Sequence, residues 1–264
     1  MQWFLNFIPA HHINLSDRGF AYGDGLFETI ATQHGSIINL SGHQARLARG
    51  LKRLNFAVDD ALLARLWSFI AEQATSNDGC GIKLILTRGS GGRGYLPPDA
   101  PQFEVIVGVF DAPDYKALKQ QGVSLTISSV ECSLNRSIAG LKHLNRLENV
   151  MAKQALAPEY YEALMKTATG HVIEAVQSNI FWVKDGILQT PAIIDAGVQG
   201  SFRSQVIKNF QGVVNVSRYH ESDLLEADEI FVCNALSGVL PVTHFQDRAM
   251  KMGPVTQQLM EQLY

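Results

Sequence analysis

Cysteine is scarce in this chain. Cys80, Cys132 and Cys233 are the only three, they lie far apart, and no C-x-x-C pair occurs among them. An odd, scattered set argues against a disulfide framework and against a zinc cage. An excess of charge of one sign is also lacking: 22 Lys and Arg stand against 25 Asp and Glu, a formal net charge of -3. That balance carries no basic footprint of a nucleic-acid binder, although a few local arginines could still hold a small anion. No run of eighteen apolar residues occurs, so no membrane span is expected. The amino terminus, Met1-Gln-Trp-Phe-Leu-Asn-Phe-Ile-Pro9, is apolar but lacks the basic n-region and the length of a signal peptide. It reads as a first strand, and the chain as cytoplasmic.

What is present suits an enzyme-sized globular protein. A hydrophobic fraction of 46% with 18% charged residues over 264 residues can fill one large core or two modest ones. Phe27–Thr32 and Ser36–Leu40 read as strands around a Gln33-His-Gly35 turn. Ser41-Gly-His-Gln44 fits a capping box ahead of a helix whose Leu47, Leu51 and Leu54 share one face. A second helix is expected over 61–73, and buried strands over 81–87 and 102–110. Asp111-Ala-Pro-Asp114 breaks the pattern and reads as a linker. Beyond it, strands are expected at 123–128, 178–183 and 229–234, a hairpin turn at Lys184-Asp-Gly186, and a helix from about Ser201. Two α+β domains split near residue 113 account for this order.

Several residues carry chemistry. Lys142 follows a flexible Ala-Gly pair and precedes Leu144, Leu147, Met151 and Leu156, an apolar stripe of roughly helical spacing. A partly dehydrated lysine there loses some preference for its ammonium form, which suits an amine that must form a Schiff base with an aldehyde. Gly89-Ser-Gly-Gly-Arg-Gly94 satisfies G-x-G-x-x-G, but Tyr95-Leu-Pro-Pro98 opposes the helix that a dinucleotide site needs. A loop presenting Arg88 and Arg93 to an anionic substrate is the better reading. Arg46 sits early in the first helix and can grip a phosphate with its planar fork. Gly200 and Ser201 precede a helix, whose free amides can receive a phosphate monoester. Glu174 opens a strand-like stretch, and a buried carboxylate beside a pyridine nitrogen would keep that nitrogen protonated. Lysine, arginine, helix amides and glutamate together point to pyridoxal 5'-phosphate.

The chain resembles the fold-type IV pyridoxal-phosphate enzymes, the family of branched-chain and D-amino-acid aminotransferases and aminodeoxychorismate lyases, through nearly its whole length. Asp17-Arg-Gly-Phe-Ala-Tyr-Gly-Asp-Gly-Leu-Phe-Glu-Thr-Ile30 is similar to the family's amino-terminal signature, and His43-Gln-Ala-Arg-Leu47 to its phosphate-arginine motif. Within the family, Thr87–Tyr95, Gly140–Glu148 and Val232–Leu236 look like aminodeoxychorismate lyase. The Arg-x-His clamp of D-amino-acid transaminases and the Gly-Gly-Asn-Tyr run of branched-chain enzymes are not found.

The resemblance implies an α+β, two-domain fold: a small N-terminal α/β sandwich domain over 1–112, a linker over 113–120, and a larger C-terminal, barrel-like α/β domain over 121–264. It implies Lys142 as the catalytic lysine and cofactor contacts at Arg46, Glu174, Gln177, Val198, Gly200, Ser201, Phe202, Asn234 and Ala235. Substrate contacts are expected among Tyr22, Glu28, Thr29, Arg88, Arg93 and Tyr95. It further implies a homodimer with a small-molecule substrate; the composition and hydropathy read above give no metal, no nucleic acid and no membrane as partners. The reaction implied converts 4-amino-4-deoxychorismate to 4-aminobenzoate and pyruvate, a folate-pathway step. Transamination by the same fold is the alternative.

Overall fold

A computed structural model describes residues 1–263. The chain forms two compact units, one of residues 1–113 with 141–145, the other of residues 114–140 with 146–264. In sequence order the first holds β1 (Gln2–Leu5), β2 (Ile8–Pro9), α1 (Arg18–Tyr22), β3 (Gly25–Gln33), β4 (Ser36–Ile37), α2 (Leu40–Arg53), α3 (Asp60–Ser76), β5 (Cys80–Thr87) and β6 (Glu104–Asp111). Its strands make an antiparallel sheet in the order β2-β1-β6-β5-β3-β4. Along β3 and β5 burial alternates with the pleat: Leu26, Glu28, Ile30, Ile82, Leu84 and Leu86 are buried, while Phe27, Thr29, Lys83 and Ile85 on the other face are half-buried. One face is a core; the other is left for chemistry.

The helix after the first hairpin does not start as expected. Its N-cap is Asn39, in the left-handed region at φ 54° and without a side-chain cap bond, and Ser41 already lies inside the helix. The hairpin delivers the chain directly into the first turn, so the Ser41–Gln44 capping box does not form. Asp59 caps α3 instead, accepting from the Leu62 N–H at 2.6 Å.

The second unit adds α4 (Lys116–Gln121), β7 (Val123–Ile127), α5 (Leu147–Gln154), β8 (Glu162–Lys166), β9 (Val172–Ala175), β10 (Asn179–Lys184), β11 (Ile187–Pro191), α6 (Ser201–Asn209), β12 (Val214–Ser217), α7 (Glu221–Leu225), β13 (Glu229–Asn234), β14 (Gly238–Phe245), β15 (Arg248–Ala249) and α8 (Pro254–Gln262). The helix α4 occupies most of the stretch read as a linker. Eight strands follow the path β12-β11-β10-β13-β14-β7-β8-β9, and β15 pairs off β14. Only residues 176–178 join β9, at one end of that path, to β10, near the other. Three residues reach too short a distance for a flat sheet, so the sheet curls into a half-barrel. Both faces are covered: Ile180 and Trp182 of β10 enter one core with Leu125 and Phe245, and Phe181 and Val183 enter another with Phe202, Val206 and Phe231.

The stripe read after Lys142 is not a buried helix face. Residues 141–145 are not helical and belong to the first unit, where His143 forms an isolated bridge to Leu26, the Phe27 N–H donates to the Lys142 carbonyl at 2.8 Å and the Leu144 N–H to that of Gly25 at 3.1 Å. Helix α5 begins only at Leu147, which is 72% exposed, and Met151 is 49% exposed. Pairing with a strand overrode the helical spacing.

Candidate active site

The amine of Lys142 lies 4.3 Å from the centroid of the Phe27 ring, on the half-buried face of the first sheet. Thr29, two residues along, shares that face by the pleat. So does Lys83, the Cα partner of Thr29, whose Nζ lies 3.7 Å from the same ring. Sequence reading passed over Lys83, because a lysine inside an apolar strand shows its face only when register is known.

Glu28 points the other way. It is buried beneath α2, accepts from Arg46 Nε at 2.8 Å and from Arg46 Nη2, and lies 2.6 Å from His43 Nδ1. Burial alone would raise its pKa, but the charges and hydrogen bonds of Arg46 and His43 outweigh that and hold it at about 2. Glu28 therefore clamps the Arg46 guanidinium in one orientation.

Arg18, not anticipated from sequence, organises the glycine-rich loop. Its Nη1 donates to the carbonyls of Gly94 at 2.9 Å and Gly91 at 3.3 Å, its Nη2 to that of Tyr95 at 3.0 Å, and its Nε to Asp24 at 2.9 Å. Gly89, Gly91, Gly92 and Gly94 all have positive φ, between 59° and 109°, so no helix starts here and the dinucleotide geometry is absent. Arg88 is buried, bound to Asp24 at 2.8 Å and to the Leu54 carbonyl at 2.9 Å, with its guanidinium 4.2 Å from the Phe56 centroid. Arg93 exchanges two backbone bonds of 3.2 Å with Leu96, and its side chain is exposed. Tyr95, 88% exposed, meets Tyr22 edge-on at 5.6 Å.

The second unit gathers the other expected residues. Glu174 is buried on β9 and accepts from the Val198 N–H at 3.0 Å and the Asn179 side-chain amide at 3.4 Å, while that amide also donates to the Val198 carbonyl at 2.9 Å. Two residues on, Gly200 caps α6. A Cβ at Gly200 would fall inside the van der Waals surface of Asn179 Oδ1, so the close approach requires glycine. Ser201, first in α6, has a buried hydroxyl with no hydrogen-bond partner among the described residues. An unmatched hydroxyl at the amino end of a nine-residue helix fits an anionic oxygen. Phe202 turns its side chain into the core instead, leaving its backbone to the helix start.

Gln177, which is exposed, and Asn234, which is half-buried, both join a network around the buried Glu162 and Ser178. The Gln177 N–H and the Ser178 hydroxyl donate to Glu162 at 3.1 and 2.6 Å, and the Asn234 side chain donates to Ser178 Oγ at 3.1 Å. Burial pushes the Glu162 carboxyl up, against the pull of Ser178 and Gln177. Asn234 Oδ1 accepts from the amides of Leu236 and Ser237 at 2.9 Å, which shapes the turn that carries Ala235.

Comparison with known proteins matches the amino-transferase class IV family over residues 25–245. The chain belongs to that family. It is 36% identical over 248 residues to the aminodeoxychorismate lyase of Vibrio harveyi, covering 92% of this chain and 90% of that protein. The crystal structure of 4-amino-4-deoxychorismate lyase from Pseudomonas aeruginosa superposes with a TM-score of 0.93 at 34% identity, over 99% of this chain and 97% of that one. A branched-chain aminotransferase from Thermoproteus uzoniensis, 24% identical, has a TM-score of 0.84 over 100% of this chain and 93% of its own, and shares the fold. No helix among the described residues is long and apolar enough to cross a membrane.

Proposed function

We propose that this protein is a pyridoxal-phosphate-dependent lyase that converts 4-amino-4-deoxychorismate to 4-aminobenzoate and pyruvate. The observation that carries the reading is the likeness over nearly the full length of both chains to lyases with that name, in sequence and in structure. The buried, unpartnered Ser201 hydroxyl and the glycine-only approach at Gly200 fit the cofactor's phosphate. Ser201 and the first amides of α6 would hold that phosphate; Arg46, whose orientation Glu28 sets, is proposed as a further cofactor contact. The turn of Asn234 and Ala235 and the backbone of Val198 would complete the holding set with Gln177 and Phe202. Lys142 would carry the cofactor, and Glu174, steadied by Val198 and Asn179, would keep its ring nitrogen protonated.

When bound, the pyridinium ring supplies an electron sink. Lys142 Nζ then takes the proton from C4 of the substrate. The C3–O bond breaks, enolpyruvate leaves and gains a proton to become pyruvate, and the carbocycle becomes aromatic. Thr29, on the face that carries Lys142, would meet substrate, and Arg93 and Tyr95 would offer a cation and a ring from the loop that Arg18 holds. Arg88, already bound to Asp24, would steady that loop. The exposed edge of Tyr22 belongs to the same group. A homodimer, which rests on the family resemblance, and a cytoplasmic location are part of the proposal.

The test is product formation from 4-amino-4-deoxychorismate with no keto acid added, following 4-aminobenzoate fluorescence and pyruvate together. Equal, catalytic release of both is expected. No release, with an amino acid converting bound cofactor to its pyridoxamine form, would make this an aminotransferase.

A further inference from the structure

Two lysines from different segments address one aromatic ring. Lys83 Nζ and Lys142 Nζ lie 3.7 and 4.3 Å from the Phe27 centroid, so the two amines are at most about 8 Å apart. The backbone enforces this meeting. Thr29 and Lys83 are partners across β3 and β5, Phe27 shares their face, and the Phe27 N–H holds the Lys142 carbonyl. Lys83 is largely out of water; burial brings its titration down to about 8, against the pull of Glu28. An amine titrating there still carries its proton in most molecules at neutral pH.

Other titratable and charged groups stand on the same unit. From β3, Glu28 is bound to Arg46 and His43 of α2 on the far face of the sheet. Arg49 of α2 lies near Arg46 and Glu28, Glu104 opens β6, and buried His143 follows Lys142 on its own segment. Lys83 remains the cation that shares a ring with Lys142.

We propose that Lys83 is a positioning residue for the Lys142 amine: its charge, across the shared Phe27 ring, disfavours a proton on Lys142 Nζ and readies that amine as nucleophile and base. An ordinary lysine is overwhelmingly protonated at neutral pH, so each unit by which its titration falls raises the reactive fraction about tenfold. Two unit charges about 8 Å apart, in a partly screened setting, change each other's titration by about one pH unit. The inference deepens the proposed function and rests on Lys142 being the cofactor lysine.

Full-length Lys83→Met and Lys83→Arg proteins test it with two readouts. Competitive acetylation of the cofactor-free chain, read by peptide mass spectrometry from neutral to alkaline pH, gives the titration of Lys142 itself. The pH at which the visible band of the cofactor-loaded protein changes gives the same coupling with cofactor present. Lys83→Met is expected to raise the Lys142 titration by about one pH unit and to move the band transition upward. Lys83→Arg, which keeps the charge, should leave both near wild type. An unmoved Lys142 titration in Lys83→Met overturns the inference, and so does an equal shift in Lys83→Arg, which would mark altered packing. Lys142→Ala separates the two readings. If the visible band persists there, the assignment of Lys142 fails, while acetylation still decides the coupling.

Discussion

Replacing Glu28 by Gln should destabilise the folded protein by about 3 kcal/mol at neutral pH, and that difference should fade in acid. The magnitude comes from the buried cluster of Glu28, Arg46 and His43. Burial works against the carboxylate, yet its pKa falls from 4.5 to about 2, so its partners more than repay the desolvation. A drop of roughly 2.5 units corresponds to about 3 kcal/mol at about 1.4 kcal/mol per unit. The folded pKa lies below the unfolded one, so the contribution is complete above pH 4.5 and is lost as pH falls through 2. Glutamine matches the protonated acid in shape, and the variant behaves at neutral pH as the wild type does in strong acid. It also leaves the buried guanidinium of Arg46 without its counter-charge. Urea unfolding of both proteins over a pH series measures the gap, and taking the difference removes the titration of every other carboxylate. A gap below about 1 kcal/mol at neutral pH, or one that stays constant down to about pH 3, would refute the reasoning.

Other outcomes follow from the same contacts. Gly200→Ala drives a methyl group into Asn179 Oδ1 and should weaken pyridoxal phosphate binding at least about tenfold, the equivalent of one lost hydrogen bond; spectroscopic titration of the cofactor-free protein measures it, and unchanged affinity would remove α6 from the phosphate site. Glu229 accepts from the Val255 and Thr256 amides and the Thr256 hydroxyl at 2.7 to 3.2 Å, so Glu229→Ala should cost about 2 kcal/mol by leaving buried donors unmet. Chemical denaturation checks this, and a loss below 0.5 kcal/mol, roughly the effect of an ordinary surface change, would contradict it. Arg18→Ala removes the donors that hold Gly91, Gly94 and Tyr95, and limited proteolysis should then cut within the loop faster than in the wild type. Equal cleavage rates would show that the loop is held by its own turns.

Much of the local structure around the candidate site was readable before the fold because it depends on residues close in sequence. Gly200 and Ser201 mark a helix start by residue type alone, and Glu174 opens a strand as expected. The prolines after Gly94 told against a nucleotide loop, and the backbone there has the positive φ values that a helix forbids. Other features were hidden for a physical reason. Ser41 and Gln44 have the spacing of a capping box, but the preceding hairpin put Asn39 at the cap. Leu144 and Leu147 have helical spacing, but the Leu144 N–H was taken by the carbonyl of Gly25 at the edge of β3. Arg18 and Lys83 look like ordinary surface cations until register and loop path are known.

The sequence by itself determined the two-unit α+β organisation, the start of a helix at Ser201 and the family. Those depend on periodicity, glycine and proline placement, and motifs a few residues long, which local sterics and hydrogen bonding translate directly into backbone shape. Only the tertiary structure decided which side chains face one another. The pleat sends Glu28 to the core with Arg46 and sends Thr29 and Lys83 to the face of Lys142, and this depends on the pairing of β3 with β5. A shift of one residue in that register would exchange the two faces, and nothing within β3 alone specifies its partner.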